Sequence, residues 1–212
     1  MDKLFNSDKN IAKTIINTFN NLAKTYKNKF TSDEIEKQKI ISLVEQFEIK
    51  PGFQLLEVGG GTGDLSPFLL IKLKSRGLLV FLDIALEMVR VARQKLSTWD
   101  NVEFKVDDIH HYKPKQLFDR IIVFNTFPHF YNKKTALTNC YRILKPGGKL
   151  VICHNESRMS ICLHHVKNAI SLKLSDFPKD SEVYKLLTST GFKVELFENN
   201  EGYNYYLVIA VK

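Results

Sequence analysis

The chain's 212 residues, 44% hydrophobic and 25% charged, supply material for one sizeable core and match ordinary globular domains, which excludes a disordered or fibrous class. No run approaches the roughly 18 apolar residues of a membrane helix, Met1 to Asn10 lacks the apolar centre of a secretory signal, and Cys140, Cys153 and Cys162 form neither a CxxC pair nor a disulfide framework, so one reduced, cytoplasmic domain over 1–212 is expected. The net charge of +8 raises a nucleic-acid partner, but lysines alternate with acids along Asp33 to Lys39 and Glu45 to Lys50, the pattern of solvated helix faces.

From Asn10 to Phe30, Ile11, Ile15, Ile16, Phe19, Leu22, Ala23 and Tyr26 recur at helical spacing and predict an amphipathic helix. Thr31-Ser32-Asp33-Glu34 has the composition of a second helix start, continued by Ile35, Ile40, Ile41, Val44 and Phe47 and stopped by Pro51-Gly52. Residues 1–50 are thus expected to form an N-terminal helical cap. Short apolar runs then alternate with helical stretches, with strands expected at Gln54 to Val58, Leu78 to Asp83, Val102 to Val106, Asp119 to Phe124 and Lys149 to His154. Helices are expected at Asp64 to Ser75, Leu86 to Leu96 and Lys133 to Leu144, and Lys145 to Gly148 reads as a turn. A helix at Ser181 to Thr190 precedes strands at Lys193 to Glu198 and Tyr203 to Val211, whose short link makes them an antiparallel hairpin. The expected fold is α/β: a seven-stranded, mostly parallel sheet with an antiparallel C-terminal hairpin and helices on both faces.

The first strand runs through Glu57-Val58 into Gly59-Gly60-Gly61-Thr62-Gly63-Asp64, then into a helix. Glycines at that junction let the backbone turn tightly and approach a ligand. Asp83 closes the second strand and Asp107-Asp108 the third. Ligands of open α/β sheets bind outside the strands' carboxyl ends, so Glu57, Asp83 and Asp108 define one acid-lined edge. A dinucleotide pyrophosphate calls for positive surroundings at a helix N-terminus, whereas a sulfonium cofactor with an ammonium group suits carboxylates. Charge therefore favours S-adenosylmethionine over a nicotinamide dinucleotide.

Glu57-Val58-Gly59-Gly60-Gly61-Thr62-Gly63, Asp83, Val102-Glu103-Phe104 with Asp108, Phe118-Asp119 and Arg142-Ile143-Leu144-Lys145-Pro146-Gly147-Gly148 resemble the successive motifs of Rossmann-like class I methyltransferases. The nearest likeness is to the quinone-ring methyltransferases of the UbiE and MenG type, which share the Gly-Gly-Thr-Gly-Asp-Leu loop; Phe19 to Tyr26 is similar to their start. The resemblance implies that Glu57 and Gly59, Gly60, Gly61 and Gly63 hold the methionine end of S-adenosylmethionine, Asp83 with Ile84 the ribose, and Asp108 with Ile109 the adenine, with Tyr26 and Asn125 completing the cofactor site. It implies methyl transfer to a small molecule, quinone-like or another metabolite. An RNA methyltransferase and a non-catalytic S-adenosylmethionine-binding protein are the alternatives.

On the acceptor side, Asn125-Thr126-Phe127-Pro128-His129-Phe130 follows the fourth strand. It lacks the Asn/Asp-Pro-Pro-aromatic run of nucleic-acid amine methylases and a cysteine for pyrimidine C5 chemistry. His129 is a candidate general base, since an imidazole titrates near about pH 6.5, or else a loop cap. Residues 155–178 exceed a simple connection and form a candidate lid. There Met159, Leu163, Val166 and Ile170 mark an apolar helix face, and Arg158, Cys162 and His165 a separate stripe. If that stripe faces inward, His129, His154 and His165 converge as catalytic residues or as ligands of a divalent metal.

Overall fold

The computed structural model describes residues 2–25, 33–167 and 177–212, with side chains described for 8–25, 33–163 and 177–212. Helix α1 (Asp2–Leu22) starts well before the expected Asn10, because apolar periodicity marks where a helix is amphipathic and not where it begins. It ends at Leu22, and Tyr26 lies outside the described residues. Helix α2 (Glu34–Glu45) starts as its sequence suggests: the Asp33 carboxylate accepts from the N–H groups of Ile35 and Glu36 at 2.9 and 3.1 Å. Asp33→Ala is expected to cost about 1 kcal/mol, read as a melting temperature lower by about 2–4 °C.

Strand β1 (Gln54–Val58) pairs in parallel with β2 (Leu78–Asp83) on one side and β4 (Phe118–Phe124) on the other. Outward lie β3 (Val102–Val106), parallel to β2, and β5 (Leu144–His154), parallel to β4. Because the chain leaves β1 in one direction and returns at β4 in the other, a crevice opens where β1 and β4 end. Past β5, β7 (Tyr205–Val211) runs antiparallel and carries β6 (Lys193–Asn200) at the edge, so the full order is β3-β2-β1-β4-β5-β7-β6. The terminal hairpin is present, and β7 alone opposes the other six strands. Lys145 to Gly148, expected as a turn before a shorter strand, bulges out within β5 between the pairs Phe118↔Leu144 and Arg120↔Lys149.

Strand alternation sends Leu55, Leu79, Phe81, Ile122 and Val151 into one layer, packed by α2, by Leu69, Leu70 and Leu73 of α3 (Ser66–Leu73), and by Val89 and Ala92 of α4 (Leu86–Lys95). Leu56, Val80, Ile121, Val123 and Ile152 face the other layer, filled by Ala136, Leu137 and Cys140 of α5 (Lys133–Ile143) and by Val183 and Leu187 of α7 (Asp180–Ser189). Both faces of the sheet are therefore covered, as parallel strands require.

Helix α6 (Arg158–Lys167) sits in the candidate lid. Met159 and Leu163 of its apolar face are 56% and 52% exposed, while Ile161 is buried and Cys162 packs against the layer of Ile121 and Ile152. Its first turn is held from the side: Asn204 Oδ1 and Asn199 Oδ1 accept the N–H groups of Ser157 and Arg158, and Arg158 Nε lies 3.5 Å from Asp180 of α7. Those anchors, remote in sequence, set the helix's rotation where apolar spacing did not. Residues 168–176, the rest of the candidate lid, lie outside the described residues.

Candidate active site

The glycine loop is clamped to the end of β4. Gly59 has φ +64, and a Cβ there would come within 2.2 Å of Thr126 Cγ2. Thr126 Oγ1 stands 2.9 Å from both Gly59 O and Phe124 O and shares its proton between them. Gly63, a member of the expected cofactor set, packs against α4: a Cβ would sit 3.1 Å from that of Ala92, and Gly63 is outside the residues lining the cleft. A glycine here permits close packing of loop on helix.

Beneath the loop lies a cleft enclosing about 930 Å³, open mouth included, lined by Glu57, Gly59, Gly60, Gly61, Asp83, Ile84, Asp108, Ile109 and Asn125 of the expected cofactor set. Among the described residues its wall carries five carboxylates and no lysine or arginine. Glu57 is 1% exposed and accepts from Ser66 Oγ at 2.6 Å. Burial pushes its proton affinity up to about 8; the Ser66 hydrogen bond opposes this, and the charges of Asp64 and Asp83 add to it. Asp83 is likewise pushed up to about 6 by burial, against the pull of backbone N–H groups. Its two oxygens accept from Gly61 N at 2.9 Å and Ala85 N at 2.8 Å, so this acid also ties the loop to β2.

Asp108 is enclosed by donors. One oxygen takes the backbone N–H of His110 at 2.9 Å and stands 2.5 Å from its Nδ1; the other takes the Tyr131 hydroxyl at 2.6 Å. Burial alone would raise this acid, but the His110 and Tyr131 bonds outweigh it and hold it below its ordinary value. Burial, then Asp108, pushes Tyr131 upward.

On the acceptor side, Asn125 directly follows β4 at φ 51, and its side chain exchanges two hydrogen bonds with Asn155 at 2.8 and 3.2 Å. Asparagine tolerates left-handed backbone better than most residues, and here it lines the cleft. A single 3₁₀ turn, Phe127–His129, follows, and His129 lines the cleft with its ring against that of Phe19 of α1, 5.1 Å between centroids. Ile15 of α1 lines the same wall.

The expected meeting of three histidines does not occur among the described residues. Although β4 and β5 are neighbours, strand alternation points His154 away from the cleft: it is 3% exposed and packs on Phe177 and Tyr206 at 5.0 and 6.2 Å. The side chain of His165 lies outside the described residues, and Arg158 and Cys162 of its stripe face α7 and the layer of Ile121 and Ile152. The metal reading finds no support either, since no group of three His, Cys, Asp or Glu among the described residues suits a metal ion. Sequence reasoning also missed His110, Tyr131 and Thr126; only the position of His110, two residues after Asp108, offered a signal.

Residues 55–148 match the family model described as a methyltransferase domain. A curated relative, the ubiquinone/menaquinone biosynthesis C-methyltransferase UbiE of Wigglesworthia glossinidia brevipalpis, is 34% identical over 106 residues, 48% of this chain and 42% of that protein. The malonyl-[acyl-carrier protein] O-methyltransferase 2 of Ilyobacter polytropus is 35% identical over 99 residues, 47% of this chain and 38% of the relative. The chain thus spans about two fifths of the length of these relatives. In fold it is similar to the magnesium protoporphyrin IX methyltransferase of Synechocystis PCC 6803, with TM-score 0.70 at 17% identity, over 95% of this chain and 99% of that one. The sheet order, the glycine loop at the reversal of that order and the match over 55–148 agree in likening this stretch of the chain to a methyltransferase domain.

Proposed function

We propose that the chain transfers a methyl group from S-adenosylmethionine to a small-molecule acceptor. The observation that carries this is the buried Glu57 carboxyl at the glycine loop, in a cleft wall of acids without lysine or arginine among the described residues. A buried carboxyl whose proton affinity is raised by burial ionises when a cation arrives beside it. The ammonium of the methionine end is such a cation; a pyrophosphate would meet repulsion here. Glu57 and the Gly59 to Gly61 backbone would hold that end, Asp83 the ribose and Asp108 the adenine. When bound, the cofactor supplies an electrophilic methyl group on a good leaving group, so the chain's residues need mainly to align the acceptor and exclude water.

Ile15, Phe19, Phe124 and Phe130 give the cleft an apolar, aromatic wall suited to a flat, weakly polar acceptor such as a quinone-like ring. The two curated relatives are named for different acceptors, one C-methylated and one O-methylated, so the likeness supports the cofactor end more than the acceptor. His129, at the mouth beside Phe19, is the residue we assign to taking the acceptor's proton.

Calorimetry is expected to show S-adenosylhomocysteine binding. Labelled S-adenosylmethionine incubated with a fractionated lysate is expected to mark the metabolite pool, with label in RNA or no transfer at all counting against this reading. With the accepting fraction, His129→Ala is expected to cut turnover about a hundredfold or more with S-adenosylhomocysteine affinity close to wild type. Unchanged turnover would remove His129 from the mechanism.

A further inference from the structure

His110 is a buried imidazole in the cleft wall, bonded through both ring nitrogens, that none of the roles above uses. Its side chain is 3% exposed. Nδ1 stands 2.5 Å from Asp108 Oδ1, and Nε2 accepts the N–H of Asn132 at 3.3 Å. A ring nitrogen that accepts carries no proton, so the imidazole proton sits on Nδ1 and is donated to Asp108. The ring is stacked on Tyr131 with centroids 3.7 Å apart and planes at 19°, and meets the edge of Phe130 at 5.9 Å. It therefore has little freedom to turn.

The consequence falls on the carboxylate. Asp108 Oδ1 is occupied by two donors of His110, its backbone N–H and its ring. Oδ2 has one donor, the Tyr131 hydroxyl, and both residues line the cleft. A carboxylate oxygen accepts along two lone-pair directions, so Oδ2 keeps one acceptor position. The His110 N–H and the Tyr131 hydroxyl give each oxygen a single donor; the ring of His110, itself stacked on Tyr131, adds a second donor to Oδ1 and tightens the rotation of the carboxylate about its Cβ–Cγ bond.

We propose that His110 is a positioning residue for the purine end of the cofactor. It holds Asp108 so that Oδ2 meets an exocyclic amine, and it thereby makes the cleft prefer a 6-amino purine over a 6-oxo purine. A 6-oxo purine presents a carbonyl where the amine would be, and two acceptors cannot share a hydrogen bond. This rests on the cofactor placement proposed above. The competing view is that His110 only fills space between Asp108 and Tyr131.

The quantity that separates them is the ratio of Kd for S-inosyl-L-homocysteine to Kd for S-adenosyl-L-homocysteine, because a general loosening of the cleft affects both ligands alike. Calorimetry on the full wild-type chain is expected to give a ratio of about ten or more, the effect of one hydrogen bond to a charged acceptor. His110→Phe keeps a ring against Tyr131 and removes the Nδ1 proton, and the ratio is expected to fall towards one. Equal weakening of both ligands with the ratio unchanged would overturn the proposal and leave His110 a packing residue. A wild-type ratio near one, with both ligands bound, would overturn it while leaving the cofactor placement standing. Binding of neither ligand would overturn that placement and the proposal with it. Should His110→Phe not fold, the wild-type protein answers: the Nδ1 proton resonance is expected to move on adding S-adenosyl-L-homocysteine and to stay on adding the inosine form. Equal movement with both would overturn the assignment.

Discussion

Glu57→Gln is expected to weaken S-adenosylhomocysteine binding by about a hundredfold, the upper range for losing one charge-assisted hydrogen bond in a buried site, while making the ligand-free protein more stable at alkaline pH. The two effects share one cause. The folded protein holds the Glu57 proton up to about pH 8, against an ordinary value of 4.5. Between those values the folded state binds more protons than the unfolded chain, so wild-type stability falls as pH rises through that window. Glutamine has no proton to lose and keeps an acceptor for Ser66 Oγ. The variant's advantage should therefore be small near pH 5, grow with pH and level off near pH 8, where a gain of a few degrees in melting temperature is expected. Asp83 adds a slope of the same sign up to about pH 6 in both proteins and cancels in the comparison. Thermal melts at pH 5 and pH 8 check this; a difference independent of pH, or largest at pH 5, would refute it. Near pH 7 the wild type is also expected to release a proton on binding ligand, seen as a buffer-dependent calorimetric enthalpy, and the variant to release none from this site.

Gly59→Ala is expected to abolish measurable cofactor binding and to cost about 2–4 kcal/mol of stability. The first part of that cost is backbone: a residue with a Cβ at φ +64 loses about 1 kcal/mol relative to glycine. The rest is steric, because the new Cβ would stand 2.2 Å from Thr126 Cγ2 and 2.6 Å from Oγ1, and overpacking of this kind costs about 1–3 kcal/mol. Thr126 cannot retreat without giving up Gly59 O and Phe124 O. Thr126→Ala in the same chain removes the two closest atoms and should recover part of the stability without restoring binding. If the double variant melts no higher than Gly59→Ala, the clash is not the source of the loss. Chemical denaturation of the three proteins, with calorimetry, provides both readings.

The cofactor half of the domain was legible because its signals are local. Strand, glycine turn, helix and the acids at Asp83 and Asp108 each announce themselves within a few residues, and every expected strand has its counterpart. The other half depends on partners distant in sequence. Helix α6 reads as amphipathic with Met159 and Leu163 on its apolar face, and where that face points is decided by Asn199, Asn204 and Asp180, which hold the helix start with both side chains exposed. His154 ends a strand beside the cleft, and period-two alternation sends it to the opposite layer beside Phe177 and Tyr206. Applying that alternation to β5 puts Ile152 and His154 on one face and Val151 and Cys153 on the other, so the face taken by His154 follows from the sequence once the strand is recognised. Nothing local marks Tyr131 as a partner of Asp108; that contact depends on how the chain returns after the 3₁₀ turn.

The placement of β7 between β5 and β6 sets an order on synthesis. Strands β1 to β4 occupy one continuous stretch, 54–124, and can pair as soon as that stretch has cleared the ribosome. Strand β6 emerges before β7 but has no neighbour in the sheet until β7 arrives. A released chain ending near residue 200 would carry a nearly complete crevice together with two unsatisfied strand edges, on β5 and β6, each a template for pairing with another chain. Shortening the far end of this segment therefore threatens aggregation before it threatens ligand recognition, even though β7 contributes no residue to the cleft wall.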